Sequence, residues 1–404
     1  MSTPVPIHQV GQDGEIRFLG DWLGDGRRLE LTRAGFPLLA AGSHTVDGEF
    51  PWVFWDMCPS GFLGRRLSLI ESRLALGADP RTWTAGDALR ILTEAGEDLP
   101  GNLIVGERSL QRWRELRSKE DEYERDFERF LRGEINVGPG FSRDGATITI
   151  GRRPWDPPDQ VGWLDAADAA PNGSSSLGGE RPKFVRRNRR GGALVKFSPP
   201  LGTPQGQRWA DLLRVEAHCA ATLAHFGVSS AVSNAAAGFT PEREGPAQRV
   251  WLTVPRFDRT PGWGRRGAAT LYWYAMARYG DVRIQAPIVI RDLVSEGHLA
   301  ASAAETTQRV HSFSEAIGNN DAHLGNYGLV FDDEGRADLA PIYDVLPMAL
   351  APANDELPDS RLRPRTPSTD PVIAHWVHEL VSRVEGDAAI SDDFKNPWRR
   401  HIGV

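Results

Sequence analysis

Apolar positions recur at two spacings along the chain, and these spacings separate strand-rich from helix-rich segments. In the first 110 residues, alternating runs at 15–19 and 29–31 are broken by Gly and Asp, which indicates strands joined by tight turns. The aromatic cluster at 52–55 precedes P-S-G-F-L-G-R-R-L and predicts a core strand leading into a helix. Residues 96–106 predict a turn that enters a buried strand. The N-terminal module, residues 1–110, is therefore expected to be a mixed α/β module rich in strands.

A helical spacing follows between residues 107 and 133. The apolar residues there recur at steps of three and four and are Leu110, Trp113, Leu116, Tyr123, Phe127, Phe130 and Leu131. This pattern predicts an amphipathic connector helix. Acidic residues alternate with its arginines, which favours a solvated polar face over a nucleic-acid surface. Residues 134–172 are rich in Gly, Pro and Asp and predict a linker or surface loop.

The second half of the chain predicts two lobes. A strand at 193–197 precedes a helix at 207–226, and strand-like runs follow at 230–236 and 249–254. From Trp263 to Phe313 the sequence predicts helices, and a last helix is expected at 372–384. A mixed small lobe would thus precede a mainly helical lobe.

Composition limits the function classes. At 404 residues the chain is long enough for two domains or lobes. A net charge of −7 argues against a dedicated nucleic-acid coat protein. Cys58 and Cys219, the only cysteines, exclude a disulfide framework and a Cys-based zinc site. No signal peptide and no run of 18 apolar residues is present, so we expect a cytoplasmic protein without membrane contact.

Candidate chemistry is concentrated between residues 317 and 344. Asp321 and Asn326 lie five residues apart in N-N-D-A-H-L-G-N, and Asp344 follows the next apolar run. In phosphotransferases of the protein-kinase type, such an Asp accepts the proton of the attacking hydroxyl, while the Asn and the second Asp hold Mg²⁺. Because D-x-x-x-x-N is common by chance, the motif needs support from the rest of the chain.

Support comes from the preceding lobe. The segment N-G-S-S-S-L-G-G-E-R-P-K predicts a glycine loop, although Gly178 and Gly179 lack the full G-x-G-x-x-G spacing. Lys196 lies in the next strand, where it could reach ATP phosphates. Glu216 lies on the apolar face of the helix at 207–226, so burial requires a partner, and Lys196 is the natural one. The following P-R-F-D-R suits a hinge whose backbone pairs with adenine.

These motifs, taken in order, resemble those of HipA-like serine/threonine kinases, the toxin half of bacterial toxin–antitoxin pairs, between about residues 174 and 348. The carrying segments are S-S-L-G-G-E-R-P-K, V-K-F, V-P-R-F-D-R, N-N-D-A-H-L-G-N and A-P-I-Y-D-V-L-P. The N-terminal G-F-L-G-R and G-E-D-L-P-G-N-L resemble the YjjJ branch, whose longer members begin with a winged-helix segment that this sequence lacks.

The resemblance implies an α+β, two-lobed protein-kinase-like fold of the HipA type. The expected order is the N-terminal module, a connector helix and linker at 111–172, an ATP-binding small lobe at 173–257, and a helical C-terminal lobe at 258–404. The N-terminal module is expected to dock on or support the small lobe. Its own chemistry stays unassigned.

The resemblance also implies roles for individual residues. Asp321 is similar to the catalytic base, Asn326 and Asp344 to the Mg²⁺ ligands, and Lys196 to the phosphate-binding lysine. His323 belongs to the same catalytic loop, which we expect it to order as a buried, hydrogen-bonded side chain. The residues implied in ATP binding are Leu177, Gly178, Gly179, Lys183, Lys196, Glu216, Pro255 and Phe257.

Two positions carry further expectations. Ser176, with Ser174 as the second candidate, stands where family kinases autophosphorylate, and a phosphate there would repel those of ATP. Pro255 replaces the usual glutamate of the hinge, where only the main-chain carbonyl is needed, and it fixes φ and removes a donor.

The resemblance implies ATP and Mg²⁺ as cofactors, a protein substrate such as an aminoacyl-tRNA synthetase, and an antitoxin as candidate partner. The basic run at 181–190 forms either a solvated hairpin tip or a contact to an anionic, nucleic-acid-bound partner. Two alternatives stay open: a small-molecule phosphotransferase of the aminoglycoside-kinase type, and a nucleotide-binding regulatory partner without turnover.

Overall fold

The structure is a computed structural model that describes residues 4–23, 28–31, 45–46, 50–138, 141–144, 147–150, 181–188, 191–240, 247–353, 356–359 and 361–404. The expected α+β, two-lobed architecture is confirmed. One four-stranded antiparallel sheet lies in the N-terminal module and another in the small lobe, and helices dominate the C-terminal lobe. None of the described helices is both long and apolar enough to cross a membrane.

The N-terminal module is built on a sheet of order β3-β2-β1-β6. Its strands are β1 (Val5–Val10), β2 (Ile16–Leu23), β3 (Arg28–Leu31) and β6 (Leu103–Val105), with a separate pair β4 (Thr45–Val46) and β5 (Phe50–Pro51). Its helices are α1 (Trp52–Met57), α2 (Gly61–Ile70) and α3 (Ala85–Ala95). Thr84 and Asp87 form a capping box that fixes the start of α3.

The expectation of a core strand at 52–55 is wrong, because these residues form the buried helix α1. Trp52, Val53, Phe54 and Met57 of this helix are all buried. A short apolar run that is buried all round has no periodicity that separates a strand from a helix. The predicted helix after it, and the buried strand within 96–106, are present as α2 and β6.

The predicted connector helix is α4 (Glu107–Leu131), whose Leu110 and Trp113 pack on Val10 and Ile104 of the N-terminal module. Short strands follow within the predicted linker, namely β7 (Val137–Gly138), β8 (Phe141–Asp144) and β9 (Thr147–Ile150). They pair in that order as an antiparallel sheet.

The small lobe has the sheet order β10-β11-β13-β12. Its strands are β10 (Lys183–Asn188), β11 (Gly191–Phe197), β12 (Asn234–Thr240) and β13 (Ala247–Pro255), and its helix is α5 (Pro204–His225). Thr203 caps α5 by accepting from the backbone of Gly206, and a proline occupies the first turn. The predicted strand at 193–197 and helix at 207–226 are therefore confirmed.

The C-terminal lobe contains a sheet of order β14-β15-β16 and five helices among the described residues. The strands are β14 (Gly267–Thr270), β15 (Gly328–Phe331) and β16 (Ala337–Leu339). The helices are α6 (Leu271–Tyr279), α7 (Ala286–Ser295), α8 (Ala301–Ala316), α9 (Pro371–Gly386) and α10 (Asp392–Ile402). Two expectations are thus corrected. Residues 267–270, expected to be helical, form a strand because they pair with β15. The helix expected to be the last, α9, is followed by α10, whose many charged residues masked the apolar pattern of its buried Phe394 and Trp398.

The N-terminal module packs mainly on the C-terminal lobe, where the sequence led us to expect contact with the small lobe. Trp52 contacts Tyr274 edge-to-face at 5.6 Å between ring centroids, and Trp55 stacks on Trp273 at 5.4 Å. The carboxylate of Asp56 accepts hydrogen bonds from the backbone and side chain of Thr270, at the start of α6. One continuous apolar core therefore joins the module to the helical lobe.

Candidate active site

Lys196 points toward the cleft between the small lobe and the C-terminal lobe. It does so because side chains of a strand alternate between its two faces. On β11, Val195 and Phe197 are buried on one face, where Phe197 packs on Trp251. Leu194 and Lys196 point to the other face, which α5 covers. Glu216 of α5 meets Lys196 there, with 2.7 Å between Nζ and Oε1. The ion pair expected from the apolar position of Glu216 is present.

A second carboxylate completes the contacts of Lys196. Its Nζ donates to Oδ1 of Asp344 at 2.7 Å, across 148 residues of sequence. The side chains of Lys196 and Glu216 are only 10% and 6% exposed, whereas that of Asp344 is 32% exposed. Asp344 therefore connects a buried ion pair to the open side of the cleft, and it joins the small lobe to the C-terminal lobe.

The pKa values of the two carboxylates, Glu216 and Asp344, are shifted in opposite directions. Burial raises the pKa of Glu216 to about 7 against the pull of Lys196, and the charge of Asp344 adds to the rise. For Asp344, burial opposes ionisation, but Lys196 and Lys183 outweigh it and lower the pKa. Burial disfavours the charged form of Lys196, but the two carboxylates outweigh burial and raise the pKa of Lys196. The stable state is a lysine ammonium beside an ionised Asp344.

The backbone at Asp344 adopts a conformation that is unusual for a residue with a side chain. Its φ is +59°, in the left-handed region. Such conformations persist only where surrounding contacts enforce them, and they are common at functional sites. The neighbouring Tyr343 supplies two of these contacts: its hydroxyl donates to the carbonyl of Gly325 at 3.0 Å, and its ring stacks on Phe257 at 5.7 Å.

The catalytic-loop candidates form a short, internally bonded turn between α8 and β15. Asn319, which is buried, accepts from the backbone of Asp321 at 3.1 Å. The amide of Asn326 donates to the carbonyl of Asp321 at 2.8 Å, closing the loop. The loop geometry thus fixes the two predicted residues relative to each other.

His323 orders this loop. Its Nδ1 accepts from the backbone of Gly325 at 3.0 Å, and its Nε2 lies 3.9 Å from Oδ1 of Asp321. The loop lies next to the Asp344 segment, because the hydroxyl of Tyr343 donates to the carbonyl of Gly325 at 3.0 Å. The side chain of His323 is half-buried, with 24% exposed, so it is less buried than the sequence led us to expect.

The hinge candidates lie where β13 ends. Pro255 is exposed and stands opposite Ala193 in the β11–β13 register, where its missing N–H is tolerated. The next backbone amide, that of Arg256, donates to Gly192 at 2.8 Å and continues the pairing. Phe257, through its contact with Tyr343, faces the same cleft as Asp344.

The residues present fit a magnesium ion in one respect, the chemistry of their donor atoms. Within the described residues there is no group of three or more His, Cys, Asp or Glu side chains that could hold a metal. Because Asn326 donates through its amide nitrogen, its oxygen is the atom able to bind a cation, and Asp344 offers a carboxylate. Mg²⁺ is commonly held by one or two such oxygens together with substrate phosphates.

Some predicted residues lie elsewhere. Ser174, Ser176, Leu177, Gly178 and Gly179 lie outside the described residues. Lys183 stands opposite Lys196 in the β10–β11 register, and its charge acts on both Glu216 and Asp344.

The basic run at 181–190 is described only in part. The guanidinium carbon of Arg181 lies 3.1 Å from the centroid of the Trp209 ring, which is a cation–π contact. The side chains of 186–190 are outside the described set.

Sequence reasoning missed Tyr343 and Asn319. Both stand inside quoted motifs, next to Asp344 and two residues before Asp321. A tyrosine and an asparagine close to the predicted site carboxylates were the available signals. Neither pattern could show the hydrogen bonds that tie the loop to the Asp344 segment.

Two solved structures are similar to the structure of this chain. A Shewanella oneidensis MR-1 toxin–antitoxin complex of HipA, HipB and operator DNA matches 97% of this chain and 99% of that chain, with 15% identity and a TM-score of 0.48. The Helicobacter pylori proinflammatory kinase CtkA matches 57% of this chain and 89% of that chain, with 11% identity and a TM-score of 0.34.

Sequence comparisons are more decisive. Toxin YjjJ of Escherichia coli (strain K12) is 29% identical over 364 residues, covering 86% of this chain and 70% of that protein. Residues 1–114 match the middle domain of YjjJ-like toxins. Residues 175–390, more than half of the chain, match the HipA-like C-terminal domain, so the chain belongs to the HipA-like family.

Proposed function

We propose that this chain is an ATP-dependent protein serine/threonine kinase that also autophosphorylates on its Ser/Gly-rich loop. The observation that supports this most strongly is the contact of Lys196 with both Glu216 and Asp344, beside the loop that carries Asp321 and Asn326. A kinase needs these groups together, since catalysis of phosphoryl transfer consists mainly of positioning and charge stabilisation.

Each residue has a defined task in this proposal. Lys196 neutralises the ATP phosphates, while Glu216 holds the lysine in place. The hinge backbone at Pro255 and Phe257 pairs with adenine. Asn326 and Asp344 would hold Mg²⁺, which, when bound, neutralises charge that develops on the phosphates.

In the transfer step, the hydroxyl oxygen of a serine or threonine attacks the γ-phosphorus. The bond from that phosphorus to the bridging oxygen of ADP breaks, and ADP leaves with the bonding electron pair. Asp321 takes the hydroxyl proton. The side chain of Asp321 is 22% exposed, so a substrate hydroxyl can reach it.

The substrate class and partners follow from the family and are part of the proposal. The substrate is a protein, with aminoacyl-tRNA synthetases as the first class to test, and an antitoxin protein is the expected inhibitor. We also propose the four-part division of the chain at residues 110, 172 and 257.

The test is phosphorylation of the purified chain by ATP and Mg²⁺ alone. Intact-mass and peptide mass spectrometry should find phosphate on Ser176 or Ser174 of the wild type and none on Asp321→Ala. Asp338→Ala, which changes an exposed carboxylate of the same lobe, is the matched control and should be modified normally. A wild type that neither binds ATP nor becomes modified would refute the kinase function. ATP binding without self-modification would favour the two alternatives, the small-molecule phosphotransferase and the regulatory partner.

A further inference from the structure

The motif G-E-D-L-P-G-N-L is the part of the N-terminal module that approaches the hinge. It forms the turn between α3 and β6 and lies against the chain that immediately follows β13. Gly101 makes the approach possible: its φ is +81°, and a Cβ there would lie 3.2 Å from the carbonyl oxygen of Ala268. Its backbone N–H donates to Asp258 at 2.9 Å.

Four charged side chains form what we call the junction cluster: Asp98 from the turn, and Arg256, Asp258 and Arg259 from the segment after the hinge. Asp98 accepts from Arg256 at 3.3 Å and from Arg259 at 3.0 Å. Asp258 accepts from each arginine at 2.8 Å. No member has a side chain more than 13% exposed, and the charges balance two against two.

The turn also satisfies the remaining donors of Arg259. Its guanidinium donates to the carbonyl of Leu99 at 2.8 Å and to that of Gly101 at 3.0 Å. A buried guanidinium with this many fixed partners has one position available to it. The turn therefore determines where Arg259 and its neighbours lie.

The junction cluster is connected directly to the hinge. Arg256 stands between Pro255 and Phe257, the two residues whose main chain is assigned to adenine. Its backbone N–H donates to Gly192 on the β11 side, while its side chain extends to Asp98 on the module side. The hinge backbone is thus held from both directions.

We propose that Asp98 is a positioning residue for nucleotide binding: from the N-terminal module it holds Arg256 and Arg259, and through Arg256 it sets the hinge backbone that receives adenine. This inference rests on the proposed kinase function. It makes the N-terminal module a structural part of the ATP site.

Removal of the Asp98 charge has a defined consequence. Two buried guanidinium groups would then face one carboxylate, Asp258, and they would repel each other. Arg256 would move, and the hinge would move with it, while Lys196 and Asp321 would keep their own contacts. The expected defect is therefore weaker ATP binding with an unchanged maximal rate.

The experiment compares Asp98→Asn, Asp98→Glu and Asp333→Ala. Asp333 accepts from the backbone of Gln12 and the side chain of Arg17, so it also joins the module to the C-terminal lobe, but it makes no contact with the junction cluster in the described hydrogen bonds. The readouts are the ATP concentration that half-saturates autophosphorylation, the maximal rate, and hydrogen exchange at the amide of Arg256.

For Asp98→Asn we expect the half-saturating ATP concentration to rise about tenfold, since misplacement of a binding group by about 1 Å can cost up to about 100-fold. The maximal rate should stay within about twofold, and exchange at Arg256 should accelerate. Asp98→Glu should recover part of the ATP affinity, and Asp333→Ala should leave all three readouts unchanged.

Equal effects of Asp98→Asn and Asp333→Ala on an active wild type would overturn this inference and leave the kinase function standing. So would a loss of maximal rate with unchanged half-saturation. A wild type that neither binds nor uses ATP would overturn the kinase function, and the positioning role with it.

Discussion

Two buried ionic clusters lie on the two sides of the hinge, and they are built in opposite ways. The junction cluster has two arginines and two aspartates, balanced in charge and nearly closed to solvent. The cleft cluster of Lys196, Glu216 and Asp344 has one cation between two carboxylates, and Asp344 is 32% exposed. Lys183 adds its positive charge from the neighbouring strand and acts on both carboxylates.

The directions of the pKa shifts also differ between the junction cluster and the cleft cluster. In the junction cluster, the two arginines overcome burial and lower the pKa of Asp258. In the cleft cluster, burial prevails at Glu216 and raises its pKa to about 7. The balanced, closed junction cluster is therefore suited to stabilising the fold, whereas the cleft cluster presents the ionised and partly exposed carboxylate of Asp344, at which a cation could bind.

The largest effect expected from this comparison concerns stability. Asp258→Asn should lower the free energy of unfolding by about 3–5 kcal/mol, because it leaves two arginines buried with one carboxylate. Asp344→Asn should lower it by only about 1 kcal/mol, since Lys196 keeps Glu216 as a partner, the lost ion pair is partly offset by relief of repulsion with Glu216, and asparagine tolerates positive φ. Urea denaturation of both variants measures the difference.

Equal destabilisation by Asp258→Asn and Asp344→Asn would contradict the proposed difference between the two clusters. It would mean that the cleft cluster also serves the fold. Asp338→Asn, at an exposed position of the same lobe, controls for the loss of one negative charge and should be nearly neutral.

A smaller effect should appear in the pH dependence. Glu216 has its pKa raised from 4.5 to about 7, so between these values the folded chain holds a proton that the unfolded chain has released. Stability should fall as the pH rises through this window, by about 1–3 kcal/mol. Asp258 has a lowered pKa, so its contribution should instead be lost as the pH falls below about 4.

Unfolding midpoints between pH 4 and 8 test the sign for Glu216. The decline from pH 4.5 to 7 should be reduced in Glu216→Gln, which keeps an acceptor for Lys196 but cannot ionise. An unchanged decline in this variant would assign the pH dependence to another group, for which Asp56, also raised to about 7 by burial, is the first candidate.

Local patterns were sufficient to predict much of the fold. The apolar face of α5, with Glu216 on it, gave both the helix and its ion pair with Lys196. The run at 52–55 was misassigned because burial on all sides removes periodicity. The strand Gly267–Thr270 was missed because its structure depends on pairing with β15, some 60 residues later.

The candidate site was predictable in its residue types and not in its connections. The motif spacing identified Asp321, Asn326 and Asp344, but the contact of Asp344 with Lys196 joins residues 148 apart. The junction cluster was beyond reach for the same reason: Asp98 and Arg259 meet only once the N-terminal module has docked. Charge balance between distant segments is a property of the folded chain.

The most direct measurement is calorimetric titration of the wild type and of Asp344→Asn with ATP, each with and without Mg²⁺. If the cleft cluster is a magnesium–nucleotide site, Mg²⁺ should tighten ATP binding to the wild type about tenfold or more, and Asp344→Asn should lose that gain. ATP binding that is absent from the wild type, or that is the same with and without Mg²⁺, would contradict the account.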